Sequence, residues 1–489
     1  MKKTVGIFLG CFLGLMLFGS CGKKATEYDL YIFNSKGENA QQFDAMCRAY
    51  EAETGLKLKN FSIGSGQDHS EPLNAEMNSR NKPVIYSIQG VKELVEWYQG
   101  GFVEDLSQVT DPAFAALVSA IPPSLRLTTD GNTSFGIPYN VEGYGYIADT
   151  KLLGDIFGLS DVTALAADIK SASYDEWEAL VTTLDAWIKA PGPARITLAG
   201  HAYNFAPSKS GLAANLTGVF AVMGAEKWTY GDHFINVALN AIFSSPNDAN
   251  NATEEKLRAG KGAFMDYAQA LDLKTSHLAG KDGPAQRGQD FVSSANFGYD
   301  QTVQIFADSK AVFFKQGNWA YGNIAGVNPE MAERLIFLPV KMPFKPQDIV
   351  RTDGMTVEKL NRSIPVFVPN YYAVNKLSTD AEKKHAYDFL VWLNTSSSGQ
   401  HYVVDEFAFI PYNADPAVIT VPNSLGNSII GYMKNGDIIA APYHGAPASW
   451  SGDVVGLRLM ENYLTKPQWT QADYNDIADY AINEWLKLK

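Results

Sequence analysis

Four side chains in one short stretch have the types and spacing to share a chemical task. They are Asn140, Glu142, Tyr144 and Tyr146, within Gly136-Ile137-Pro138-Tyr139-Asn140-Val141-Glu142-Gly143-Tyr144-Gly145-Tyr146-Ile147. At the two-residue period of a strand they fall on one face, with Val141, Gly143, Gly145 and Ile147 on the other. A carboxylate, an amide and two phenols side by side can hydrogen-bond a polar ligand and lie against its flat faces. Paired glycines weaken a strand and permit a bend or a close backbone approach. The stretch therefore suits a crossing between two lobes. An ordinary buried strand entered from a proline turn is the competing reading.

The elements before this stretch place further polar groups together. Residues 28–33 (Tyr-Asp-Leu-Tyr-Ile-Phe) read as a strand, followed by the loop Asn34-Ser35-Lys36-Gly37-Glu38. Phe43, Met46, Cys47 and Tyr50 then recur at i, i+3, i+4 and i+7, which predicts a helix. Thr54-Gly55 ends it, and Leu56-Lys57-Leu58 opens the next strand. A strand–helix–strand opening implies a parallel sheet, whose ligand crevice lies beyond the carboxyl ends of the strands. Lys36 and Glu38 sit at one such end, and Asp68, in Gly64-Ser65-Gly66-Gln67-Asp68-His69, at another. A third strand over 84–88 ends at Gln89-Gly90, and a stripe of Val91, Leu94, Val95 and Tyr98 predicts the next buried helix face.

The chain has 489 residues, more than one hydrophobic core usually serves, so two lobes are expected. Aromatic residues make up 12%, including 24 Tyr and 9 Trp, enough to line a site for a flat, hydroxyl-bearing ligand as well as to fill core. Lys2 and Lys3 followed by apolar residues 5–19 read as an export signal, too short for the roughly 20 residues a bilayer span needs. Removing residues 1–20 takes two lysines and no acid, so the net charge of −13 becomes −15. That balance argues against nucleic acid and against electrostatic docking on anionic lipid. Of the three cysteines only Cys47 belongs to the body of the chain, so no intrachain disulfide is expected there.

Leu17-Phe18-Gly19-Ser20-Cys21 resembles a bacterial lipobox, with Cys21 as the lipid attachment site; Phe18 departs from the usual smaller residue. That run, Tyr31-Ile32-Phe33-Asn34-Ser35-Lys36-Gly37-Glu38 and the Gly136-Ile137-Pro138-Tyr139-Asn140 stretch resemble the extracellular solute-binding lipoproteins of carbohydrate ABC importers, the maltose-binding-protein-like family 1. Phe306-Ala307-Asp308-Ser309-Lys310 through Gly317-Asn318-Trp319 is similar to a family segment ending in Gly-x-Trp. So is Val368-Pro369-Asn370-Tyr371-Tyr372-Ala373-Val374, which leads into a helix capped by Thr379 and Glu382 and buried through Ala386, Phe389, Leu390 and Leu393. The resemblance implies an α/β, two-lobe periplasmic-binding-protein fold (type II), each lobe a sheet flanked by helices and joined by hinge crossings. Its expected parts are a signal peptide at 1–20, a lipidated tether at 21–26, lobe 1 at 27–142 plus 371–420, and lobe 2 at 145–366 plus 427–489.

Sugars stack their C–H faces on aromatic rings and need fixed donors and acceptors for their hydroxyls. The resemblance accordingly implies Trp319, Trp450 and Trp228 as platforms. Lys36, Asp68, Gln89 and Glu142 are the polar candidates, with Asn140 and Tyr372 behind them. Trp177, Trp187, Trp392 and Trp485 lie on helical stripes and are expected to fill core. The implied partners are a sugar or oligosaccharide and the permease subunits of an ABC transporter. The protein is expected to be a monomer, lipid-anchored at the outer face of the bacterial cytoplasmic membrane, with no cofactor, no metal and no catalytic residue. No HExxH, Gly-x-Ser-x-Gly or P-loop pattern is present in the sequence. A glycoside hydrolase using Glu142 and Asp68, which would need its carboxylates about 5–10 Å apart, and a polysaccharide-binding adhesin are the alternatives.

Overall fold

The computed structural model describes residues 28–64, 67–122, 125–130 and 132–489. The expected signal, tether and Cys21 lie outside them. In chain order the strands are β1 (Leu30–Asn34), β2 (Leu58–Ser62), β3 (Ile85–Ile88), β4 (Ile137–Pro138) and β5 (Glu142–Asp149). A hairpin of β6 (Arg195–Leu198) and β7 (His201–Asn204) follows, then β8 (Gly218–Ala221), β9 (Leu278–Ala279) and β10 (Pro284–Ala285). Finally come β11 (Ala311–Gly317), β12 (Leu335–Leu338), β13 (Ile364–Phe367), β14 (Tyr371–Val374) and β15 (Ile438–Ile439).

Two sheets organise the chain. The first runs β2-β1-β3-β14-β4, the second β10-β9-β8-β11-β5-β13-β15, with β12 also paired to β5. The opening is parallel as expected: β1 and β2 pair from Leu30↔Leu58 to Asn34↔Ser62. Between them the helix Ala40–Thr54 buries Phe43, Met46, Cys47 and Tyr50. It stops at Gly55, whose φ of 75° is the left-handed conformation that glycine adopts without strain.

The stretch 136–147 is not one strand but a passage from one sheet into the other. Ile137 and Pro138 pair with Tyr372 and Tyr371 of β14 in the first sheet. Four residues later Glu142 and Gly143 pair with Phe367 and Val366 of β13 in the second. The chain returns through residues 368–370, between β13 and β14, and passes again after the helix Asp380–Thr395 on its way to the helix Ser424–Lys434. These passages bond to one another. Tyr139 N–H donates to Asn370 O at 2.9 Å and Val141 N–H to Ile410 O at 2.8 Å, so the backbone groups released by both sheets are satisfied where they cross. The result is an α/β two-lobe fold with hinge crossings.

β5 holds the second sheet together because it pairs on both edges. β11 lies along one edge, while β12 and β13 divide the other. Gly145 is required there: a Cβ at this position would stand 2.5 Å from the Leu338 carbonyl oxygen. Under the sheet, Tyr146 stacks on Trp177 at 5.1 Å, and Trp177 meets Phe313 at 5.0 Å. Trp177, Trp187 and Trp485 are at most 2% exposed and fill core, whereas Trp392 is only part-buried and donates its indole N–H to Glu53. The helix Gly90–Gln99 differs from expectation. It buries Leu94 and Trp97 and leaves Val95 and Tyr98 exposed. Trp97 packs against Tyr86 and Phe102, and the larger indole turns the helix away from the stripe of Val95 and Tyr98.

Asp266, on the helix Lys261–Thr275, is buried opposite Asp348. Burial, then the Asp348 carboxylate, push it up to about 8. Folded Asp266 therefore keeps a proton that the unfolded chain releases near 3.8. Its contribution to stability is full below that value and is lost as pH rises through about 8. Asp266→Asn should flatten the fall in unfolding free energy between about pH 4 and pH 8, measured by urea titration across a pH series. An unchanged slope would remove this carboxyl pair as its cause.

Candidate ligand cleft

The carboxyl ends of β1, β2 and β3 open onto a cleft of about 700 Å³ between the two sheets. Lys36, directly after β1, is 5% exposed and reaches across to Glu142, which is 2% exposed at the start of β5. Its Nζ donates to Glu142 Oε1 and lies 3.4 Å from Glu38. Asn140 Nδ2 donates to the same Glu142 oxygen at 3.1 Å. Burial opposes the Lys36 charge, but Glu142 and Glu38 outweigh it and hold the ammonium protonated. Beside them Asp68 accepts the Ser70 N–H at 2.8 Å. Gln89 and His69 share Glu93: Gln89 N–H donates to it at 2.7 Å and His69 Nε2 lies 3.2 Å away. Burial works against charge on His69, yet the Glu93 carboxylate raises it above its ordinary 6.5.

The facing wall is aromatic and rests on two abutting π-helical turns, Thr229–Phe234 and Trp450–Gly456. Such wide turns recur at functional sites because they redirect side chains within an otherwise regular helix. The turns touch closely, since a Cβ on Gly231 would lie 2.7 Å from Gly456 Cα. The Ser451 hydroxyl donates to Asp232, and Lys227 pairs with Asp453 at 2.5 Å. His233 is the hub of the wall. Its ring stacks on Tyr144 at 4.6 Å and meets Trp319 at 5.1 Å, Trp228 at 5.2 Å and Tyr443 at 5.7 Å. Burial holds His233 well below 6.5, so it faces the cleft as a neutral ring. Burial also lowers His444 to about 3. Behind the wall Lys315 lies over the Tyr144 ring and donates to Thr229 O at 3.2 Å, fixing the start of the first π-turn.

The structure brings Lys36, Asp68, Gln89, Glu142, Trp228 and Trp319 to this cleft. Asn140 stands behind it, fully buried, and orients Glu142. Tyr372 does not line the cleft; it is 3% exposed and its ring stacks on Tyr139 inside the first lobe. Trp450 is a correction. Its neighbours Ser449 and Ser451 line the cleft, but its own ring is 0% exposed and points the other way. The indole packs on Trp485 at 4.5 Å and donates to Ala481 O at 2.7 Å. The loop expected around it is a π-turn whose outer side docks on the helix Gln471–Leu488. Sequence reasoning missed His233, Phe367, Tyr443, His444 and Asn370. Asn370 lies within the Val-Pro-Asn-Tyr-Tyr motif, two residues before Tyr372. His233 had no local signal, because a π-turn breaks the 3.6-residue period.

No metal-binding group of His, Cys, Asp or Glu occurs among the described residues, and no helix among them is long and apolar enough to cross a membrane. Residues 45–417 match the family model described as bacterial extracellular solute-binding protein. The chain belongs to that family. An extracellular family implies an exported solute-binding protein. No curated protein matches the chain. Among solved structures, a chitin oligosaccharide binding protein superposes with a TM-score of 0.60 at 14% identity, covering 94% of this chain and 98% of that one. The GacH receptor of Streptomyces glaucescens, solved unliganded and with acarbose, gives 0.60 at 13%, with 94% and 98% covered. A sugar transporter protein of Bacillus licheniformis in complex with stachyose gives 0.56 at 14%, with 94% and 100% covered. At these identities the likeness is one of fold.

If Trp450 is core, Trp450→Ala should lower the unfolding free energy of this solute-binding protein by ~3–5 kcal/mol. Calorimetric or urea unfolding checks this, and a loss below about 1 kcal/mol would contradict the packing role.

Proposed function

We propose that the protein is the substrate-binding component of an ABC importer, which captures a sugar or oligosaccharide in the cleft and delivers it to a membrane permease. One observation carries this reading. Neutral aromatic rings on one lobe (Trp228, His233 and Trp319) face strand-end hydrogen-bonding groups on the other. That is the combination a polyhydroxylated ring needs, with C–H faces against π-systems and hydroxyls against fixed polar groups. Structural relatives described in complex with raffinose, stachyose and acarbose support it by analogy. The lobes, residues 27–142 plus 371–420 and 145–366 plus 427–489, close around the passages. A ligand touching both walls favours the closed form by its differential affinity.

Cys21 then carries lipid and keeps a monomeric receptor beside the permease at the outer face of the cytoplasmic membrane. The cleft needs no cofactor or metal for this task and performs no catalysis. Glu142 is committed to Lys36 and Asn140, and Asp68 to the Ser70 N–H, which favours binding over hydrolysis.

Calorimetry against a saccharide panel is the direct test. Saturable binding with the sugar recovered intact supports the receptor; cleavage over time would point to a glycoside hydrolase. Trp319→Ala should weaken binding at least about tenfold, or ~1.4 kcal/mol, while the thermal midpoint stays within a few degrees of wild type. Unchanged affinity would take Trp319 out of the site. Cys21→Ser should release the chain from the membrane fraction, and persistence there on fractionation would disprove the anchor.

A further inference from the structure

The cleft has an excess of acceptors. Eight carboxylates line it against three lysines. Lys36 is engaged by Glu142 and Glu38, Lys227 by Asp453, and His69 by Glu93. Four lining carboxylates, Asp68, Glu96, Glu226 and Asp232, have no ion-pair partner among the described residues. Glu226 accepts only the Trp228 indole N–H, at 3.1 Å, and Asp232 the Ser451 hydroxyl. Lys92, the remaining lysine, lies over the Tyr443 ring at 5.7 Å.

An independent observation points the same way. Asn370, on the second passage at the cleft wall, is 4% exposed, and its Oδ1 is sealed from solvent with no hydrogen-bond partner. Its backbone carbonyl is already used by Tyr139, and the side-chain oxygen remains a buried acceptor without a donor at the cleft wall. A buried acceptor without a donor is unfavourable. A neutral sugar hydroxyl both donates and accepts, and it would leave the unpaired carboxylates desolvated when the lobes close. An ammonium only donates, carries the complementary charge, and is attracted to the face of an indole. Trp228 and Trp319, with ring centroids 6.5 Å apart, provide such faces, with Glu226 against Trp228 and Asp232 in the same cleft.

Building on the saccharide reading above, we propose that the ligand is a basic saccharide, one with a protonated amine in place of at least one hydroxyl. Its ammonium is held by Asp232 and Glu226 against Trp228 and Trp319, and Asn370 Oδ1 accepts a further N–H or O–H from the same ligand. Closure then neutralises charge already present in the cleft instead of burying it unpaired. Uronic acids and other anionic sugars are excluded by the same carboxylates.

The test is calorimetry of the mature chain with matched pairs that differ only in amine against hydroxyl. Suitable pairs are glucosamine and glucose, galactosamine and galactose, mannosamine and mannose, and short oligomers of each with the N-acetylated forms alongside. The amine-bearing member of the best-binding pair should bind at least about tenfold tighter than its hydroxyl and N-acetyl counterparts. The ratio should shrink at about 0.5 M sodium chloride and move toward one in Asp232→Asn and Glu226→Gln, each checked for an unchanged thermal midpoint. Equal or tighter binding of the neutral member overturns the basic-saccharide assignment and leaves the sugar-receptor reading standing. A ratio unmoved in both variants overturns the placement of the ammonium. Binding of no saccharide from any pair overturns both readings.

Discussion

A chain that leaves one sheet for another must satisfy every backbone group it exposes on the way, and this constraint shapes the molecule. Ile137 and Pro138 belong to the first sheet, and Glu142 already belongs to the second. The intervening Tyr139 and Val141 would be orphaned donors if each passage crossed alone. They donate to Asn370 and Ile410, which belong to the other two passages. The passages are therefore mutually dependent, although the first lies more than two hundred residues before the other two. The lobes are joined by a small hydrogen-bonded knot, not by independent linkers, and rotation about such a knot preserves both sheets.

The buried Lys36–Glu142 pair sits directly above that knot. A buried ion pair is no net stabiliser on general grounds, since desolvation offsets most of the Coulomb gain. Its value here is in position. With both partners at most 5% exposed, the charge of one fixes the other, and Asn140 fixes the Glu142 carboxylate from behind. The polar wall thus begins from one oriented group at the lobe junction and extends outward to Gln89, His69 and Asp68. The more exposed members lie at the rim, where water competes with each contact and the geometry is less constrained.

Most of the first lobe was legible because its elements carry local signals. The i, i+3, i+4, i+7 stripe of Phe43, Met46, Cys47 and Tyr50, and the Thr379–Glu382 capping box, both appear as read. Lys36, Asp68 and Gln89 followed from one rule, that the crevice lies beyond the carboxyl ends of parallel strands. The aromatic wall was legible only in part. Trp319 and Trp228 could be proposed from residue type and neighbours, but Trp450 looks the same by those criteria. Which way each indole points depends on the π-turns and on the docking of the C-terminal helix. Both are set by contacts distant in sequence, such as Trp450 with Ala481 and Gly231 with Gly456. The helix stripe at residues 91–98 failed for a related reason, because burial of Trp97 against Tyr86 and Phe102 outweighed the apparent period.

The two walls are held in different ways. The aromatic rings stand at the ends of β11 and β13 and on the first π-turn, which is clamped to the second. Lys315 and Tyr144 fix the base of the first turn from below, and Ser451 holds Asp232 from the side. The polar wall is made of strand-end loops whose groups cap one another, as Glu93 does for Gln89 and His69. On the saccharide reading, a ligand stacked on the aromatic wall directs its free hydroxyls at the opposite lobe, while an ammonium at Glu226 and Asp232 stays on the aromatic side. On that reading the polar wall, oriented from the buried Lys36–Glu142 pair, selects on where the ligand's donors and acceptors fall. The same fold recurs in solved structures at 13–15% identity, so what this cleft takes depends on the groups that line it.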